Sequence, residues 1–178
     1  MARKPFFVGD FQPRRRIYPV VDDSVLLFAY ELIVPAAITP ITDEDEIEGL
    51  NVFPAKIDPG FTGNFHISQT HLESSSWADQ SLANFQPTGQ EMEYCFPNEV
   101  SEPLTLYHAD LWLIGNYGRA DKQPHHFRLD GGVTIVEQDP DAERIVPRIP
   151  LIGQRAFAEA EIRLEINYAN LTFSLWLP

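Results

Sequence analysis

The chain has 178 residues, 44% hydrophobic and 22% charged, the balance of one soluble globular domain, which excludes wholesale disorder. A formal net charge of −13 repels phosphate backbones and anionic bilayers, so neither nucleic acid nor membrane is expected as a partner. The one cysteine, Cys95, excludes an intrachain disulfide and a cysteine-rich zinc site, and no apolar run approaches the ~20 residues of a membrane span.

The N-terminus is basic but carries no apolar segment of the secretory kind, so a cytoplasmic protein is expected. Fifteen prolines stand where an average chain would carry about nine. They are spread from Pro5 to Pro178, which disfavours long helices and points to a mostly β chain.

Residues 1–19 hold Arg3, Lys4, Arg14, Arg15 and Arg16 and read as a Pro-rich extension, a solvated arm or irregular edge; residues 20–178 read as the domain. Residues 24–34 predict one strand closed by Pro35. The acidic run 42–49 lacks the spaced ligands and central glycine of a calcium loop and is expected to be a solvated loop. Residues 52–57 predict a strand that enters Asp58-Pro59-Gly60-Phe61-Thr62-Gly63, a turn with two glycines.

A strand is expected to resume at 64–68, then a short helix or irregular turn over 69–79 and a long excursion or hairpin over 80–103. Further strands are expected over 104–114 and within 125–137, where Gly131-Gly132 marks a turn or bulge. Arg148–Gly153 predicts a short apolar strand, and Gln154–Glu161 the best helix of the chain. Ile162, Leu164 and Ile166, then Leu171, Phe173, Leu175 and Leu177, alternate with polar positions or Trp176 on either side of Tyr168-Ala169-Asn170, the pattern of a hairpin.

Asp58 follows an apolar strand and precedes a glycine turn, where backbone N–H groups can hold a carboxylate. Locally, Asp-Pro-Gly also has the residues of an ordinary turn. Ile57-Asp58-Pro59-Gly60-Phe61-Thr62-Gly63 resembles the active-site segment of the retropepsin-like aspartic proteases, an apolar strand followed by Asp-Thr-Gly or Asp-Ser-Gly. Leu151-Ile152-Gly153 followed by a short helix and closing strands is similar to the second signature of that family.

The resemblance covers about residues 20–178. It implies a closed, mostly β, retropepsin-like (acid protease) barrel with one short C-terminal helix, and a flap within 80–103. It implies Asp58 as catalytic residue, Pro59, Gly60 and Thr62 as the active-site loop, and Leu151, Ile152 and Gly153 as the supporting loop. It also implies aspartic-type endopeptidase activity on a peptide or protein substrate, without metal or other cofactor. Two carboxyls close together share one proton, so one accepts from water while the other donates; the aspartic proteases are the standard illustration of this split.

Arg128-Leu129-Asp130-Gly131-Gly132 lacks a matching apolar-apolar-Gly and helix. The second carboxyl is therefore expected from Asp58 of another copy in a C2 homodimer, assembled through the Asp58 loop and the edge of Leu171–Leu177. Pro59 departs from the family pattern, because the Thr or Ser usual there locks two active-site loops through a hydroxyl and an N–H that proline lacks. A catalytically lapsed binding or dimerisation module of the same fold is the alternative. An unrelated small β-barrel binding protein is a further one. His66 with His71, and His108, His125 and His126 with Asp110, fit no helical metal-ligand spacing and read as structural, as do Trp77, Trp112 and Trp176. No motif marks Cys95 as a nucleophile.

Overall fold

The structure, a computed structural model, describes residues 4–41, 49–95, 101–118, 122–136 and 149–178. Twelve strands and two short helices are described: β1 Phe7–Asp10, β2 Arg16–Val20, β3 Asp23–Leu27, β4 Leu32–Thr39, β5 Phe53–Ile57, β6 Phe65–Ser68, α1 Gln69–Glu73, β7 Gln86–Cys95, β8 Ser101–Gly115, β9 His125–Val136, β10 Leu151–Ile152, α2 Gln154–Glu159, β11 Arg163–Asn167 and β12 Thr172–Trp176. The largest sheet runs β4-β5-β10-β6-β9-β8-β7, and β4 also pairs with β8 through Ala36–Thr39. That second pairing curls the sheet into a half-barrel. The protein is mostly β, with α1 joining the single C-terminal helix that the sequence resemblance implied.

β4 is buried from Leu32 to Ile38, as expected of a strand covered on both faces. Pro35 lies inside this strand and does not end it. It sits opposite Pro54 of β5. A proline is tolerated in a ladder only where its missing N–H faces no neighbour. β8 reaches β4 only from Ala36 onward, and β10 reaches β5 only at Lys56, so both prolines occupy stretches with one neighbour.

The run 24–34 is also two strands. Between β3 and β4 the Phe28 N–H donates to Glu31 at 2.7 Å, and Tyr30 adopts φ 63°, a backbone reversal that an apolar pattern does not announce. Gly131-Gly132 makes no bulge against β8, since Gly131 and Gly132 stand opposite Ala109 and His108 in unbroken register. Residues 80–103 hold a 3₁₀ turn, Leu82–Asn84, and then β7, which pairs with β8 as a hairpin.

The N-terminal segment is not an arm. β1 pairs with β12, and β2 forms a hairpin with β3. Phe11, which follows β1, is 1% exposed and joins the main core with Phe53, Phe65, Phe173 and Leu175. Burying a phenylalanine removes enough apolar surface to contribute about 2–3 kcal/mol, which ties this basic segment to the domain. The terminal hairpin forms as its alternation predicts, with Phe173 and Leu175 buried. β12 is the middle strand of the sheet β1-β12-β11. Both its edges are filled within the chain, so Leu171–Leu177 offers no free edge to another copy.

Candidate active site

β10 is only two residues long, yet it positions the whole site. It inserts between β5 and β6, parallel to the first (Ile152 opposite Ile57) and antiparallel to the second (Ile152 opposite Phe65). The Lys56 N–H donates to the Pro150 carbonyl at 2.8 Å and the Asp58 N–H to the Ile152 carbonyl at 2.9 Å. The ladder therefore runs one residue past β5 and fixes the backbone of Asp58.

Beyond Asp58 the chain turns at once. The Gly60 N–H donates to Asp58 Oδ1 at 2.9 Å and the Phe61 N–H to the Asp58 carbonyl at 3.0 Å, an Asx-type turn in which the side chain stands in for backbone. Phe61 then plugs the loop into the protein at 9% exposure, while Pro59, Gly60 and Thr62 stay exposed. Gly153 lies against this loop. Its N–H donates to the Asn64 carbonyl at 2.9 Å, and the Gln154 N–H donates to the Phe61 carbonyl at 2.9 Å. A methyl group added at Gly153 would sit 2.6 Å from the Phe61 carbonyl oxygen and against that of Gly63, so only glycine allows the approach. α2 starts at Gln154, whose side-chain amide donates to the Pro59 carbonyl, and Asn64 Nδ2 donates to Glu159 Oε2 at 2.6 Å.

The structure thus brings Asp58, Pro59, Gly60, Leu151, Ile152 and Gly153 together, with Thr62 exposed on the same loop. Sequence reasoning missed Lys56, whose Nζ lies 3.4 Å from Asp58 Oδ2 with both side chains about 30% exposed. Strand alternation alone puts residues two apart on one face, and that signal was available. The carboxylate therefore has the loop backbone on one oxygen and an ammonium on the other. It is partly exposed to solvent. Lys56, Pro59 and Ile57 also line a cleft of about 300 Å³ with Phe11, Tyr30 and Tyr168, and Glu31 is the one acidic residue of that lining.

His66 is fully buried on β6 opposite Leu151, its ring 5.9 Å from Phe61. Burial disfavours the imidazolium and holds its pKa down at about 4, and burial does the same to His71. The unfolded chain takes up these protons near pH 6.5 and the folded chain only near 4. Stability therefore falls as pH drops through that window. For His66 the difference corresponds to roughly 3 kcal/mol. Urea midpoints should decline between pH 6.5 and 4, and the decline should shrink in His66→Phe; an unchanged slope would exclude His66 as its source.

Among the described residues the other histidines and Asp110 do not converge on one site. His71 bonds the Ser68 hydroxyl at 3.0 Å and lies over Trp77, His125 contacts the Phe6 carbonyl at 2.9 Å, and Asp110 pairs with Arg128 at 3.1 Å. Among the described residues no three His, Cys, Asp or Glu side chains gather in a metal-holding group. The side chains of Cys95 and Asp130, and the acidic run 42–48, lie outside the described residues. No described helix is long and apolar enough to cross a membrane. The chain matches no family model, no curated protein and no solved structure.

Proposed function

We propose that this chain is an aspartic-type endopeptidase of the retropepsin-like kind, acting on a peptide or protein substrate as a homodimer. The observation that carries the reading is the insertion of β10 between β5 and β6, which seats Gly153 against the Asp58 loop. In the dimer the Asp58 loops of two copies meet. One carboxylate removes a proton from water as it attacks the scissile carbonyl, and the other, protonated, donates to the carbonyl oxygen. The tetrahedral intermediate then collapses: the C–N bond breaks as the first carboxyl passes the proton it took from water to the leaving nitrogen, and the second carboxylate takes back a proton from the diol, which restores the pair. The curled sheet closes as a barrel in this reading, and the single cysteine and acidic charge fit a cytoplasmic setting.

A second reading, a lapsed member of the same fold, is favoured by two specific observations. Pro59 has neither the hydroxyl nor the N–H that would lock two loops, and Lys56 already engages Asp58 Oδ2. An unmade buried hydrogen bond costs about 1–3 kcal/mol per group, or roughly 5- to 150-fold in a dimer dissociation constant. Pro59→Thr should therefore tighten the dimer measured by sedimentation at micromolar concentration and raise peptide cleavage. A variant that dimerises fully and still cleaves nothing would establish the lapsed reading.

A further inference from the structure

We infer that the outer edge of β1 is a strand-addition site for an extended acidic peptide, separate from the Asp58 loop and independent of whether that loop is catalytic. Among the described residues β1 is the outermost strand of its sheet. Asp10 stands opposite Thr172, and the next residue, Phe11, donates its N–H to the Leu171 carbonyl at 3.0 Å. In an antiparallel pair the hydrogen-bonded positions alternate, so Phe7, Gly9 and Phe11 turn their backbone groups toward β12 while Val8 and Asp10 turn theirs away.

The carbonyls that flank Val8 on either side of this edge are engaged within the chain, and the Phe6 N–H itself donates to the Leu175 carbonyl at 2.8 Å. His125 Nε2 lies 2.9 Å from the Phe6 carbonyl, and Arg16 Nη2 donates to the Asp10 carbonyl at 3.4 Å. Between them Val8, 44% exposed, presents its N–H and C=O with no bond to either among the described residues. That is the pairing surface of an edge strand, the feature by which extended peptides add to sheets.

The surroundings select the peptide. The edge borders a cleft of about 410 Å³ whose lining gathers Lys4, Arg16 and Lys122 together with Tyr18 and Tyr117. Asp10 is the one acidic residue of that lining. Three cations around one cleft, in a chain of net charge −13, are complementary to carboxylates and oppose a basic ligand. A strand laid along β1 would exchange backbone bonds with Val8 and bring acidic side chains to those cations.

The probes are the blocked pentapeptide Glu-Val-Glu-Val-Glu, its Lys-Val-Lys-Val-Lys counterpart, the acidic peptide N-methylated at the central residue, and inorganic phosphate, each titrated calorimetrically at low salt. The acidic peptide should bind at submillimolar concentration, at least about tenfold tighter than the basic one, and weaken as salt rises. Arg16→Glu and Lys122→Glu should each weaken it by about fivefold or more, a loss typical of one charge contact at a partly exposed site. N-methylation of the peptide should weaken binding at least as much, as should Val8→Pro, which removes the N–H from the protein side; the peptide arm uses the wild-type chain and stands if that variant does not fold. Absence of binding at millimolar peptide overturns the inference. So does equal binding of the N-methylated peptide or of phosphate, which would make the cleft a plain anion site. Dissociation of a homodimer by Val8→Pro would also overturn it, by assigning the edge to a second copy.

Discussion

Asp58→Asn is expected to abolish peptide cleavage while leaving the fold intact. The amide cannot take a proton from water or carry the proton that the pair shares, and losing acid–base catalysis costs about 10²–10⁴ in rate. Its oxygen still accepts the Gly60 N–H that Asp58 Oδ1 accepts at 2.9 Å, so the turn survives. The pair with Lys56 is partly exposed and contributes at most about 1 kcal/mol. The variant should therefore match the parent in urea midpoint within that margin and lose cleavage by at least a hundredfold. Retained activity would remove Asp58 from the mechanism.

The largest structural effect is expected at Gly153. In Gly153→Ala the new methyl group meets the carbonyl oxygens of Phe61 and Gly63, both backbone atoms of the Asp58 loop. No rotamer change relieves a backbone clash, so the loop must move away from β10. Overpacking typically costs 1–3 kcal/mol, and because both obstacles are backbone we expect about 3 kcal/mol or more from urea unfolding, with cleavage lost in parallel. A cost below about 1 kcal/mol would mean that the loop and β10 are not in close contact.

These two residues also mark what the sequence made legible. Asp58-Pro59-Gly60 announces a turn through the preferences of its residues, and Gln154–Glu159 announces a helix through a stretch of good formers without glycine or proline. The terminal hairpin is legible because Phe173 and Leu175 alternate with polar neighbours. The contact between Gly153 and the Asp58 loop is not written in any periodicity, since the two lie about 95 residues apart; the resemblance alone pointed to it.

Elsewhere long-range pairing prevails over local pattern. Pro35 looks like a strand terminator until Pro54 is seen opposite it, at a place where neither strand has a second neighbour. Residues 7–10 are unremarkable among arginines and prolines, and become a strand because β12 offers them an edge. That same pairing removes Leu171–Leu177 as a dimer edge and leaves the Asp58 loop to carry association in the proposed enzyme. Lys56 was visible by alternation, but its pairing with Asp58 depends on how the turn points the carboxylate.

The most direct test of the proposed mechanism is the separation of the two Asp58 carboxyls in a crystal structure of the chain grown at mildly acidic pH. A two-fold dimer is expected, in which they approach to about 3 Å and share a proton, with both Gly60 turns intact. A strict monomer, or a dimer that leaves the two Asp58 side chains on opposite faces, would contradict it.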